Sequence, residues 1–251
     1  MKNKKQLGLK ILIIISAISI VTIILIMLVL GKKSTSAGTE IDIDKLEMQF
    51  EDLFTSEENE YVSTAYNIEE NKNGEYSIYA KIPSIHISNS VDSKVNKEIN
   101  DIFIKKMLEV YNNSRIYTKL SIDYATTVND NILSLAIRCT LKEGATVQRK
   151  IIKTYNIRIP EGEILGILSI IPSEQEEEIQ EKINRTIQNN IKKENEIIMQ
   201  GYQTYKRDID SDIYLIENAT EFYVKNNVLY IIYSYGNNNY TSEIDLIVTT
   251  I

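Results

Sequence analysis

The feature that most constrains this chain is an apolar run from Ile11 to Leu30 that contains no charged residue. Twenty residues at a rise of about 1.5 Å each give a helix of about 30 Å, which matches the hydrocarbon thickness of a bilayer. Within lipid, a single segment can satisfy its backbone hydrogen bonds only as a helix. The run therefore predicts a transmembrane helix over residues 11–31, in contact with membrane lipid.

The charges on either side of the run predict its orientation. Four lysines lie within residues 1–10, whereas Lys32 and Lys33 are the only basic residues directly after the run and acidic residues follow them. Positive charge collects on the cytoplasmic side of a span. We therefore expect a single-pass protein of a bacterial cell membrane with a short cytoplasmic end (1–10) and an extracytoplasmic remainder. The alternative is a signal peptide cleaved after Ala37, within a stretch of small residues.

The part beyond residue 33 is strongly acidic. It contains 22 basic and 35 acidic residues, a formal charge of −13. This charge argues against nucleic acid and anionic polymers as partners and favours a basic protein, through long-range attraction. An ordinary solubilising surface is the alternative interpretation.

Sixteen tyrosines and an apolar content of 43% indicate a folded core.

The pattern of apolar residues divides the remainder of the chain into three segments. Residues 32–59 are predicted to form a tether and an amphipathic helix (Ile41–Phe54). Residues 60–159 and 160–251 are predicted to form two α+β halves, each with a helix followed by a three-stranded meander. Strands are expected at 61–70, 75–88, 116–128, 132–141, 147–159, 221–225, 228–235 and 243–249. The predicted fold class is α+β, with antiparallel β-sheets backed by helices.

Two helices are predicted outside the membrane. The first begins at Asn89 or Ser90 and reaches about Asn113. The second begins at Ser173, which is expected to form a capping box with Glu176. Four isoleucines spaced at four-residue intervals give this second helix its apolar face.

We find no pattern of residues typical of catalysis or metal binding. His86 is the only histidine and Cys139 the only cysteine, so zinc coordination of the usual kinds is nearly excluded. Asp208–Asp212 imitates the start of a calcium loop, but Ile213 and Ala219 replace the required glycine and glutamate. We therefore expect neither a cofactor nor a bound metal, and no enzymatic activity.

One predicted loop has a composition typical of recognition. It runs from Tyr235 to Tyr240, and its candidate ligand-binding residues are Tyr235, Asn237, Asn238, Asn239 and Tyr240. Tyrosine offers rigid amphipathic area and asparagine offers adaptable hydrogen bonds. The alternative is a plain hairpin turn, since asparagine and glycine tolerate positive φ.

Three stretches together resemble a known paired domain-of-unknown-function module: residues 82–103, 157–184 and 222–248. The module occurs in the extracellular part of the lysozyme-sensing anti-sigma factor of Gram-positive bacteria and in the non-catalytic N-terminal part of peptidoglycan deacetylases. The resemblance covers about residues 60–250. It implies an α+β fold outside the cell and a recognition role, with the Tyr235–Tyr240 loop in the place of a Tyr-rich loop.

The chain departs from both relatives in its ends. We expect the ten residues before the span to be too few for a sigma-binding surface, and we see no metal-binding catalytic domain in the sequence up to Ile251. We therefore expect a membrane-anchored, sensor-like module that recognises a cell-envelope ligand such as lysozyme or peptidoglycan fragments. The alternatives are an envelope-polymer hydrolase and a structural accessory subunit of a membrane complex.

Overall fold

The computed structural model describes five stretches of the chain, namely residues 59–114, 116–146, 148–200, 204–237 and 240–251. The predicted transmembrane run and the predicted Ile41–Phe54 helix lie outside these stretches. Among the helices of the described stretches, none combines the length and the apolar character that a membrane crossing requires.

The described chain begins with a β-hairpin. β1 (Val62–Lys72) pairs antiparallel with β2 (Tyr76–Ile85), as predicted. Gly74 lies in the turn with a φ of +77°, a conformation that glycine adopts without steric cost. Alternate side chains of β2 are buried on one face of the hairpin, and this face is covered by the helices that follow.

The first predicted helix forms as one continuous helical segment. It consists of α1 (Asn89–Ile99), a π-helical stretch (Asn100–Ile104) and α2 (Lys105–Asn113). Its apolar stripe faces the sheet, and its fully or nearly fully buried members are Val91, Val95, Ile99, Phe103, Met107 and Val110.

A meander follows, formed by β3 (Thr118–Asn129), β4 (Ile132–Glu143) and β5 (Arg149–Arg158), with a short β6 (Glu163–Ile164) against β5. Asp130 and Asn131, at φ of 45° and 63°, form the first turn. Two successive positive φ values match the twist of a tight hairpin, and asparagine and aspartate adopt them more readily than most residues.

The second predicted helix is α3 (Glu176–Met199), with Ile179, Ile183 and Ile187 buried. The predicted capping box is wrong. Residues 173–175 form a separate 3₁₀ turn, and the side chains at the helix start make no capping hydrogen bond. Because α3 begins at Glu176 and its N-cap is Gln175, Ser173 lies two residues too early to serve as the N-cap.

Three final strands, β7 (Phe222–Lys225), β8 (Val228–Asn237) and β9 (Tyr240–Thr250), complete one nine-stranded sheet. Its order is β1-β2-β3-β4-β5-β9-β8-β7, and β5 joins β9 through one residue pair, Lys150 with Thr241. The prediction of purely antiparallel sheets is wrong at one place, since β2 and β3 are parallel. The helical segment 89–113 provides the crossover that a parallel pair requires.

The core has three layers of side chains. The first lies between the helical segment 89–113 and one face of β2–β5. The second lies between α3, the 3₁₀ turns and one face of β7–β9. In the third, the remaining faces of both groups of strands pack together through Ala125, Ala136, Ile152, Tyr223, Ile232 and Leu246. The order of layers is therefore helix, strands β2–β5, strands β7–β9, helix, with both groups of strands belonging to the one sheet.

Candidate functional site

The segment between α3 and β7 carries the most binding-like surface. Two 3₁₀ turns, Asp212–Tyr214 and Ile216–Asn218, bury Tyr214 and Ile216 in the core. Ile213, within the first turn, and Leu215, between the two turns, are instead 46% and 40% exposed. Leu168, on a neighbouring 3₁₀ turn that contacts residues 216–218, is exposed as well. Exposed apolar side chains grouped in this way are typical of interaction surfaces.

Exposed carboxylates lie on the same segment and on the part of α3 that is hydrogen-bonded to it. Asp210, Asp212 and Glu217 are exposed on the segment itself, and Glu177 and Glu181 are exposed on α3. None of these five forms an ion pair with another described residue. We call the group the acidic surface, defined by Ile213, Leu215 and these five carboxylates. An apolar centre with a charged rim is the usual anatomy of a protein interface.

The side chain of Gln180 fixes the segment to α3. Its Nε2 donates to the carbonyl oxygen of Tyr214 at 2.9 Å, and its Oε1 accepts from the backbone N–H of Ile216 at 2.8 Å. One amide thus satisfies backbone groups on both sides of Leu215. A surface held in this way loses little conformational entropy when a partner binds.

On the same segment, Arg207 is surrounded by a cluster of mostly buried charges. Its guanidinium forms a bidentate ion pair with Asp245 and lies 3.7 Å from Glu194 and 3.3 Å from Glu243. Arg207, Glu194 and Asp245 have side-chain exposures of 8%, 3% and 4%. Burial acts to lower the pKa of Arg207, but the hydrogen bonds and charges of its acidic neighbours raise it overall. The arginine therefore stays charged and holds α3, its own segment and β9 together.

Two tyrosines extend this cluster into the core. The hydroxyl of Tyr235 donates to Asp245 at 2.7 Å, and the hydroxyls of Tyr214 and Tyr235 are 2.9 Å apart. Because Tyr235 has a single hydroxyl proton, Tyr214 must be the donor between them. Burial and the charge of Asp245 raise the pKa of Tyr235. The guanidinium of Arg207 also lies 4.7 Å from the centre of the Tyr235 ring.

The predicted recognition loop is shorter than expected. Tyr235 lies within β8, pairs with Glu243 of β9 and is 2% exposed, so its side chain is part of the core and not of a loop. Asn237 and Tyr240 form the last backbone pair of the hairpin, whereas Asn238 and Asn239 lie outside the described residues. Ligand binding by these residues stays a prediction.

The structure places the other singled-out residues apart from the acidic surface. His86 is exposed just after β2, where its Nε2 lies 2.7 Å from the hydroxyl of Ser63. Cys139 is buried in β4, and burial raises its pKa to about 12. Such a thiol is not reactive at neutral pH. Across the described stretches, no three histidine, cysteine, aspartate or glutamate side chains are arranged to hold a metal ion.

Sequence reasoning missed Gln180, Arg207 and Asp245. Each is a polar residue whose partner lies far away in sequence, so no local spacing connects them. One usable signal was the position of Asp245 between apolar residues that alternate along β9. Its side chain shares the face of Ile247, which is buried, and a buried carboxylate requires a cationic or hydrogen-bonding partner.

Comparisons with known proteins give only structural likeness. No protein-family model and no curated protein matches the chain. A crystal structure of a DUF3298 family member from Bacteroides fragilis is similar over 75% of this chain and 89% of that one, with 12% identity and a TM-score of 0.39. A DUF3298 family protein from Pseudomonas aeruginosa is similar over 74% and 86%, with 7% identity and a TM-score of 0.41. Both neighbours carry a domain of unknown function.

Proposed function

We propose that this chain is a membrane-anchored, extracytoplasmic module that binds a cell-envelope ligand and catalyses no reaction. The acidic surface carries the proposal: Ile213 and Leu215 are exposed among carboxylates that have no ion-pair partner in the described stretches. The anchor is the apolar run Ile11–Leu30. The Gln180 hydrogen bonds support a rigid surface that is formed before its partner arrives.

A basic, lysozyme-like protein is the ligand that fits this surface best. Its lysines and arginines would meet the carboxylates, and its apolar side chains would cover Ile213 and Leu215. The formal charge of −13 beyond residue 33 adds long-range attraction. Peptidoglycan fragments are the second ligand class, but their glycan strands are uncharged and their peptides carry carboxylates, so they offer less complementarity.

The test is the binding of a basic lysozyme to the full chain in a neutral detergent, measured at low and at high ionic strength. We expect binding that weakens with salt, because exposed charges are screened beyond about 10 Å at 0.1 M salt. The variant D212N/E217Q should bind about fivefold more weakly, as expected for the loss of two exposed charge pairs.

The matched control is D130N/E161Q, which removes the same charge from exposed positions elsewhere. It should bind lysozyme almost as well as the unchanged chain. Absence of binding at low salt would refute lysozyme as the ligand. Equal losses in both variants would show that net charge, and not the acidic surface, governs association.

A further inference from the structure

A second charged surface lies on the open face of the N-terminal strands. Side chains alternate along β2, β3 and β4, so Lys81, Lys119 and Lys142 point away from the helices that cover the other face. All three are exposed, and none forms an ion pair within the described part of the chain. We call these three residues the lysine face. On the adjoining strand β1, the exposed Glu69 shares this face as the partner of Tyr79, and the three lysines leave the region positive on a strongly acidic domain.

Two members of the lysine face are direct neighbours. Lys119 and Lys142 are partners in the antiparallel register of β3 and β4, which brings their Cβ atoms to about 4.5–5.5 Å from each other. Like charges at directly opposed positions destabilise a sheet. The domain carries this unfavourable pair although an acidic side chain at either position would remove the repulsion. A bound anion would offset the repulsion.

The acidic residue of β3 that shares the face with these lysines is already paired. Asp123 shares the face, but it accepts hydrogen bonds from Arg138 at 3.2 and 2.8 Å. This ion pair leaves the charges of Lys119 and Lys142 uncompensated.

Hydroxyl groups fill the positions between the cations. Ser77 is the β2 neighbour of Lys119, and Ser121 pairs with Thr140 one position further along the same face. Among the described residues of β2, β3 and β4, Tyr79 is the exposed large aromatic side chain, and the ammonium of Lys81 lies 5.9 Å from the centre of its ring. This face therefore lacks the apolar centre that a folded protein partner would require.

We propose that the lysine face binds an extended, phosphate-bearing polymer. Each phosphate presents oxygen atoms on several sides, so one group can accept from Lys119 and Lys142 together while neighbouring hydroxyls donate as well. Lysine binds phosphate as a point charge and does not need a fixed geometry. Successive phosphates along the polymer would reach Lys81, two strands away from Lys142.

The charge of the whole domain makes a distinctive prediction for this interaction. At low ionic strength, the overall negative charge repels a polyanion from a distance. At about 0.1 M salt, charges further than about 10 Å are screened while contacts at the lysine face persist. Binding should therefore be strongest at an intermediate salt concentration, unlike the binding of a basic protein, which weakens steadily.

The test uses the full chain in neutral detergent and long-chain inorganic polyphosphate as the probe, with poly-glutamate and monomeric phosphate in parallel. The variant K119Q/K142Q should bind polyphosphate about fivefold more weakly, the effect expected from the loss of two surface charge pairs. The control K94Q/K192Q removes two exposed lysines from the helices and should leave binding unchanged.

Circular dichroism and urea unfolding of each variant confirm that the fold is intact. Failure of polyphosphate to bind would overturn the proposal, and so would equal losses in the two variants. Tighter binding of poly-glutamate than of polyphosphate would also overturn it, because the preferred partner would then be an acidic polypeptide.

Discussion

Arg207 and Asp245 form a bidentate ion pair inside the C-terminal core, with Nε to Oδ2 at 2.7 Å and Nη2 to Oδ1 at 3.0 Å. The pair connects the segment that carries the acidic surface to strand β9. Because Glu194 of α3 also contacts the guanidinium, one side chain fixes the helix, the segment and the sheet relative to one another. The position of the acidic surface therefore depends on a largely buried charge cluster.

Replacement of Arg207 by methionine should unfold the protein more easily. The change leaves Glu194 and Asp245 buried without a cationic partner, and breaking a buried pair in this way costs about 3–5 kcal/mol. Urea denaturation measures the loss. The control Arg158→Met removes an exposed ion pair with Glu163 and should cost less than about 1 kcal/mol. Similar losses in the two variants would contradict the structural role of the cluster.

Replacement of Gln180 by alanine should loosen the acidic surface. Two hydrogen bonds to the backbone around Leu215 are lost, and each unsatisfied group costs about 1–3 kcal/mol where it is buried. Faster amide hydrogen exchange at residues 213–217 would be the direct observation. Gln188→Ala, at an exposed position of the same helix, is the control and should leave this exchange unchanged.

Two glycines with the same backbone conformation should respond differently to alanine. Gly74 and Gly162 have φ of +77° and +76°, so alanine pays about 1–2 kcal/mol for the left-handed conformation at either site. A methyl group at Gly74 meets open space, whereas one at Gly162 meets the side chains of Ser88 and Val91. Thermal unfolding should therefore show a clearly larger loss for Gly162→Ala. Equal losses would mean that the chain relaxes freely around Gly162.

Reversal of one charge on the lysine face should stabilise the sheet. Lys142→Glu converts the opposed pair with Lys119 into an attractive one, and cross-strand pairs of this kind contribute about 0.2–1 kcal/mol. The same variant should lose polyphosphate binding. A rise in stability together with a loss of binding separates the functional role of these lysines from any contribution to folding, and a fall in stability would argue against the repulsion.

The buried thiol of Cys139 should make stability depend on pH in the alkaline range. Burial raises the pKa of this thiol from its ordinary value of 9.0 to about 12. Between these values the unfolded chain loses the thiol proton while the folded chain keeps it. The contribution of Cys139 is therefore fully present below pH 9 and declines by about 1.4 kcal/mol per pH unit above it.

The comparison with Cys139→Ala isolates this effect from the other groups that titrate at high pH. The difference in unfolding free energy between the two proteins should shrink as the pH rises from 9 towards 11. A difference that stays constant over this range would show that the thiol titrates alike in both states.

Much of the fold could be predicted from local patterns. The Asn73–Gly74 turn, the stripe of the helical segment 89–113 and the asparagine turn at 226–227 follow from chemistry within a few residues. Asn226 and Asn227 indeed adopt positive φ values of 50° and 59°. These features depend on the spacing of apolar residues and on the residue types of the turns, and both are visible in the local sequence.

The parallel pairing of β2 with β3 could not be predicted in the same way. A strand of either orientation shows the same alternation, so the orientation follows only from the helix that crosses between the strands. The place of Tyr235 was mistaken for a related reason. Its neighbours Gly236 and Asn237 resemble a turn, but β8 continues to Asn237 across a bulge, and burial of the Tyr235 ring against Arg207 favours the strand.

The candidate site was the least accessible part to sequence reasoning. Asp210 and Asp212 were noticed as an imitation of a calcium loop, whereas the exposure of Ile213 and Leu215 depends on which side chains the 3₁₀ turns bury. The local positive charge of the lysine face could not be predicted from the net charge of −13, because the three lysines come together only when β2, β3 and β4 pair in register.

The most direct test of the central claim is a hydrogen-exchange footprint of the full chain in the presence and absence of a basic lysozyme. The account predicts slower exchange at residues 208–218 and in the first turns of α3, around Glu177 and Glu181. Slower exchange confined to other parts of the chain, or no change at a lysozyme concentration that saturates binding, would contradict it.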